Sequence, residues 1–164
     1  MTWSRWSWNW PRRKNNNEEE KYDIDFNTLK QTNTDVVGFL KVKGTAIETI
    51  VVKGNDNEYY LNHNLEKKYN KAGWLFADYK NKLDGADKNI VIYGHNMKDG
   101  SMFGTLKNVL TESWQSKEAN RVITLVTQNR EYKYEVFSTY TIDAESYYIT
   151  TDFSNLSYID FLNT

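Results

Sequence analysis

Short apolar runs broken by polar turns dominate the chain, and few of them carry a helical period. Val36 to Val42 and Thr45 to Val52 are β-branched and aromatic, with Lys43-Gly44 between them and the turn cluster Gly54-Asn55-Asp56-Asn57 after them. That pattern predicts two strands. Glu58-Tyr59-Tyr60-Leu61 follows, then a polar stretch to Gly73 and a short apolar run, Trp74 to Ala77. Ile90-Val91-Ile92-Tyr93 reads as a core strand that runs straight into Gly94-His95-Asn96. Arg121 to Val126 and Tyr132 to Tyr140 read as two strands joined across Gln128-Asn129-Arg130, the second with clear alternation. Three segments predict helix. Phe26 to Lys30 gives one or two turns behind Asp25 as N-cap. Phe103 to Leu110 places Phe103, Leu106, Val109 and Leu110 on one side. Asp152 to Asn163 has Asp152 or Ser154 as cap. Many short strands with few helices indicate a mostly β domain, a barrel with helical inserts.

The ends of the chain read differently. Four of the 6 tryptophans lie in Met1 to Pro11, and Arg12 to Glu20 (RRKNNNEEE) separates a basic block from an acidic one. Residues 1–21 are expected to be a disordered leader that packs against nothing, and residues 22–164 the domain. With 21 basic and 22 acidic residues the formal net charge is -1, and no run is basic enough to track a phosphate backbone. The Cys count of 0 excludes disulfides, thiolate metal sites and a cysteine nucleophile within these residues. The 2 histidines, His63 and His95, stand too far apart in sequence for a ligand pair, so neither a metal nor another cofactor is expected. No stretch reaches the roughly 20 apolar residues of a spanning helix, and no n-region, apolar run and small-residue cleavage site are read in order within these residues.

The residue most suited to chemistry is His95. An imidazole at the end of an apolar strand, beside Gly94, sits at the rim of a sheet and titrates near neutrality, which suits a general acid or base. His63, in LNHNLEKK, is expected to face solvent. Ser101, Thr105 and Ser138 are the nearby hydroxyls, none in a nucleophile-elbow pattern. Tyr93, Asp78 and Asp99 are candidates to orient a histidine, and spacing selects none of them. Residue types alone leave the reaction open.

Several motifs in order resemble the class B sortases. Asn89 to Phe103 (NIVIYGHNMKDGSMF) is similar to the segment that carries the family's catalytic histidine. Upstream, Asp35 to Leu40, Gly44-Thr45-Ala46-Ile47, Asp56 to Leu61 (DNEYYL) and Gly73 to Asp78 (GWLFAD) resemble family segments; Tyr132 to Tyr140 and Tyr148 to Phe153 do so downstream. The resemblance runs from about Phe26 to Thr164. It implies a sortase-like β-barrel with short helices. It also implies a cysteine transpeptidase that cleaves the C-terminal sorting signal of a secreted protein, holds the acyl group as a thioester and passes it to an amine of peptidoglycan or other cell wall. By position His95 takes the histidine role, acid toward the leaving amine and base toward the incoming one. The implied location is the outer face of the membrane or the cell wall.

The family site also uses a cysteine and an arginine. Thr124-Leu125-Val126-Thr127-Gln128 is similar to the Thr-Leu-x-Thr-Cys motif with Gln128 in the cysteine place. The family's order, however, sets the cysteine strand after the helix that begins near Asp152. The resemblance therefore implies a barrel incomplete at its C-terminus, stopping before the cysteine and arginine strands, and a chain inactive by itself. The alternative is a non-catalytic domain of sortase descent that binds peptide or cell-wall material.

Overall fold

The computed structural model describes residues 3–4, 22–142, 149–154 and 157–162. Its centre is a strand pair made by the two β-branched runs. β2 (Val36–Val42) and β3 (Glu48–Val52) pair antiparallel, with Phe39 opposite Ile50 and Lys41 opposite Glu48. The turn between them uses Gly44 at φ 73, a conformation that favours glycine. Thr45 holds it: its hydroxyl donates to the Val42 carbonyl at 2.7 Å and accepts the Ile47 amide at 3.1 Å.

The sheet grows outward on both sides of this pair. β6 (Val122–Thr127) lies antiparallel to β2, and β7 (Glu131–Glu135) lies antiparallel to β6. On the other side β4 (Phe76–Ala77) runs parallel to β3, and β5 (Ile92–Tyr93) runs antiparallel to β4. The resulting six-stranded order is β5-β4-β3-β2-β6-β7, a curled, open half-barrel with short helices. The mostly β, incomplete barrel expected from the sequence is what the chain forms.

Both faces of the sheet are covered, which explains why its central strands bury apolar residues on both sides. Successive side chains go to opposite faces. Leu40, Val42, Val51, Leu75, Ala77, Ile123 and Leu125 join Leu106, Val109 and Trp114 in one core. Phe39, Val52, Phe76 and Val126 join Phe26, Val36, Tyr60 and Tyr93 in the other.

The helical segments are short. α1 (Phe26–Thr32) forms where expected, with the Asp25 carboxylate accepting the Thr28 amide at 3.0 Å and the Thr28 hydroxyl at 2.6 Å. α2 (Glu112–Gln115) is capped by the Thr111 hydroxyl. Three expectations are corrected in extent. Phe103 to Leu110 is a turn followed by a 3-10 helix over Leu106–Leu110. The last helix, α3, spans only Tyr158–Leu162. β7 spans only Glu131–Glu135, although the Val136 amide still donates to the Arg121 carbonyl at 2.7 Å, one step further in the same register.

Near the N-terminus, β1 (Trp3–Ser4) pairs with β8 (Thr141–Ile142). The rest of residues 1–21 lies outside the described residues.

Candidate functional site around His95

The expected strand Ile90 to Tyr93 is shorter in the fold, and the reason is a side chain. Asn81, fully buried, takes the Val91 amide on its carbonyl oxygen at 2.9 Å and donates to the Asn89 carbonyl at 2.7 Å. The clamp takes the Val91 amide, while the Val91 carbonyl still accepts the Asp78 amide at 2.9 Å, and β5 proper keeps Ile92 and Tyr93. The Tyr93 ring stacks on Phe76 at 5.0 Å, and its hydroxyl donates to the buried Asp78 carboxylate at 2.8 Å. The strand end is therefore fixed two residues before His95.

Beyond it the backbone loops out and returns. Met97 and Phe103 both donate their amides to the His95 carbonyl, at 3.1 and 2.9 Å, and Asn96 bridges to Met102. The Phe103 ring packs against Gly94, where a Cβ would come within 2.8 Å of a ring carbon. His95 is half-buried at this edge. Its Nε2 lies 2.7 Å from the carbonyl oxygen of Leu61. A carbonyl only accepts, so Nε2 carries the proton. Among the described residues nothing bonds Nδ1.

The carbonyl belongs to a 3-10 helix, Tyr59–Leu61, in a segment to which the sequence pattern assigned no element. The Asp56 carboxylate starts it by accepting the Glu58 and Tyr59 amides, both at 2.8 Å. Tyr60, in the middle, is buried; its hydroxyl donates to Asp35 at 2.7 Å and accepts from Asn33 at 2.8 Å. Burial holds the Tyr60 phenol far above its usual range, so it stays protonated and donating.

The Tyr59 and Glu58 amides hold the Asp56 carboxyl below the ordinary aspartate range. A depressed carboxyl contributes its stabilisation above its unfolded pKa, near 4, and loses it as pH falls through the lower folded value. At neutral pH the Asp56 carboxylate therefore keeps both bonds to the start of the 3-10 helix. Acidification through the carboxylate range is expected to shift the Glu58 and Tyr59 amide resonances together. Asp56→Ala is expected to show those shifted positions already at neutral pH, read in a proton–nitrogen correlation spectrum.

The other candidates divide clearly. Asp78 is engaged by Tyr93, by the Asn57 amide at 2.8 Å and by the Lys80 backbone at 2.9 Å. Asp99 is engaged by the Ser101 hydroxyl at 2.6 Å. The imidazole is thus oriented by a backbone carbonyl, a partner without a side-chain signature in the sequence. Thr105 accepts the Ala46 amide at 3.0 Å, and Ser138 is exposed. Gln128 sits past the end of β6, with β4, β3 and β2 between β6 and β5 in the sheet, and it accepts the Lys30 ammonium at 2.6 Å. Arg121 donates to the Gln115 carbonyl at 2.8 and 3.1 Å.

His63 departs from the free surface residue expected. Its ring stacks on Tyr59 at 4.0 Å, nearly parallel, and its Nδ1 lies 2.9 Å from the Tyr59 carbonyl. Among the described residues no group of His, Cys, Asp or Glu is arranged to hold a metal, and no helix is long and apolar enough to cross a membrane.

Comparison with known proteins adds the following. The Sortase domain family matches residues 40–160. Sortase B of Listeria monocytogenes is 38% identical over 125 residues, 76% of this chain and 50% of that protein. Sortase B of Staphylococcus aureus is 33% identical over 137 residues, 84% of this chain and 55% of that protein. A crystal structure from Bacillus anthracis, described as similar to sortase B, superposes with a TM-score of 0.77 at 38% identity, covering 88% of this chain and 70% of that one. The chain spans about half the length of the two sortase B relatives.

Proposed function

The chain belongs to the sortase family, with the class B members, and on that premise we propose that it carries the histidine half of a transpeptidase site. His95 serves as general acid toward the departing amine and as general base toward the incoming one. The substrate is a sorting signal on a secreted protein, the acceptor is an amine of peptidoglycan or other cell-wall material, and the place of action is the outer face of the membrane or the cell wall. The observation that carries this reading is the placement of His95. It stands at the end of an edge strand, half-buried, with Nε2 held by a carbonyl and Nδ1 unengaged among the described residues.

The chemistry explains why such a group is needed. In amide exchange through an acyl intermediate, the scissile nitrogen leaves only after it gains a proton, and the attacking amine must lose one. A single imidazole does both in turn, because it gives up in the first half-reaction the proton it takes back in the second. The nucleophile is a separate requirement. These 164 residues contain no cysteine, so a thiol has to come from residues other than these.

The test is a graft. Residues 22–154 replace the aligned stretch of the Listeria sortase B, whose remaining residues stay unchanged. The folded hybrid is expected to join a sorting-signal peptide to an amine acceptor, detected as the ligated product by mass spectrometry. A hybrid that folds and forms neither cleaved nor ligated peptide would contradict the proposal.

A further inference from the structure

Both histidines of this chain hydrogen-bond to carbonyls of one short element, and they do so through different nitrogens. His63 meets the Tyr59 carbonyl through Nδ1 at 2.9 Å; His95 meets the Leu61 carbonyl through Nε2 at 2.7 Å. We propose that the Tyr59–Leu61 helix, seated by Gly73 and by the Tyr60 hydroxyl, is the device that positions the His95 imidazole and makes Nδ1 its proton-exchanging atom. The proposal rests on the role of His95 given above, and it names positioning residues, not groups that touch substrate.

The argument begins with what the Leu61 carbonyl demands. It can only accept, so the neutral ring is locked with its proton on Nε2. The ring then cannot turn over to present Nε2 without breaking a 2.7 Å bond. A locked ring is useful only if the carbonyl itself is fixed, and two independent features fix it. One is Gly73, at φ 59, a conformation costly for side-chain-bearing residues. A Cβ on it would lie 2.3 Å from the Tyr60 oxygen and 2.7 Å from the Leu61 oxygen. The neighbouring Trp74 amide donates to the Tyr60 carbonyl at 2.9 Å. Only a bare backbone fits this close to the carbonyl that holds His95.

The other feature is the buried Tyr60 hydroxyl. Asp35, which accepts from it, is also paired with Lys67 at 2.9 Å, and Asn33 donates to both Tyr60 and the Leu65 carbonyl at 2.8 Å. These contacts tie the 58–73 segment to the end of α1 and the start of β2. The imidazole is thus referenced to the rigid sheet from two sides: through its own backbone on β5, and through the Leu61 carbonyl.

The experiment uses the isotope-labelled 164-residue chain and the ring-nitrogen resonances of its two histidines at mildly alkaline pH. His95 is expected to show a protonated Nε2, protected from solvent exchange, and an unprotonated Nδ1. His63 is expected to show the reverse, the less common tautomer of a free imidazole. In Gly73→Ala the protected His95 Nε2 proton is expected to vanish into exchange with water, while the β2 and β6 amides keep their positions. If Gly73→Ala does not fold, Tyr60→Phe is read instead, with accelerated exchange of the same proton expected. A wild-type His95 protonated on Nδ1 or exchanging freely between tautomers overturns the proposal. So does an unchanged, protected Nε2 proton in whichever folded variant is read. The outcome is separable from the graft, because ring protonation is read without any turnover. An inactive graft with a locked His95 would count against the function alone.

Discussion

Incubated with a sorting-signal peptide and an amine acceptor, the 164-residue chain alone is expected to cleave and transfer nothing above background. The chemistry requires a nucleophile better than water, held near His95. A thiol ionises readily and leaves well from the tetrahedral intermediate, and these residues contain none. The hydroxyls near His95 in sequence are poor substitutes. Ser101 donates to Asp99, and Thr105 accepts the Ala46 amide. Gln128, in the position that superficially matches a cysteine motif, lies past the end of β6, which three strands separate from β5, and an amide nitrogen is not nucleophilic. A second deficit concerns the oxyanion. Of the two arginines among the described residues, Arg121 is committed to the Gln115 carbonyl and Arg130 lies in the β6–β7 turn, with three strands between β6 and β5; absence of one oxyanion donor typically costs about 3 kcal/mol, or more than a hundredfold in rate. Turnover that survives repurification and disappears in His95→Ala would contradict this and require a serine- or threonine-based mechanism.

Phe76→Ala is expected to produce the largest stability loss of any single substitution in the β5 region, about 3–5 kcal/mol. The ring is 1% exposed and lies between two other aromatics, 5.0 Å from Tyr93 and 6.4 Å from Tyr60. β4 is only two residues long, so Phe76 supplies both its pairing to Val52 and Tyr93 and the packing beneath it. A cavity there cannot be refilled by shifting a long strand. Typical domains have roughly 5–15 kcal/mol of net stability, so the variant should approach the threshold of unfolding. The same ring supports both residues that frame the site: Tyr60 precedes the Leu61 carbonyl, and Tyr93 precedes the Gly94-His95 step. Denaturant unfolding of Phe76→Ala and Phe76→Leu gives the comparison. Leucine should recover much of the loss, and an equal loss in both would show that ring stacking, not filled volume, dominates.

Much of this architecture was legible in the sequence because it rests on patterns of side chains. The apolar runs Val36 to Val42 and Arg121 to Val126 marked strands, and both cores are built by their alternation. The Asp25 cap was legible for the same reason, since a carboxylate before a helical turn has a local role that sequence displays. His95 was legible as a chemical candidate from its place after Ile90 to Tyr93. Its orienting partner was not. A backbone carbonyl has no residue type, and the side chains proposed for that task, Tyr93, Asp78 and Asp99, are engaged elsewhere. The short length of β5 was hidden too, because the Asn81 clamp on Val91 is a contact between loop and strand that no periodicity encodes. His63 looked solvent-facing in a polar stretch, yet a stack on Tyr59 four residues earlier partly covers it.

The central claim is that His95 supplies the acid and base of a transpeptidase, and His95→Ala within the graft tests it most directly. Steady-state ligation of the sorting-signal peptide to an amine is measured for the hybrid with and without the substitution, alongside thermal unfolding of both. General acid–base assistance contributes roughly a hundred- to ten-thousand-fold. Ligation is therefore expected to fall by at least that lower figure while the unfolding temperature stays close to that of the parent hybrid. Ligation retained within a fewfold in the folded His95→Ala hybrid would contradict the account.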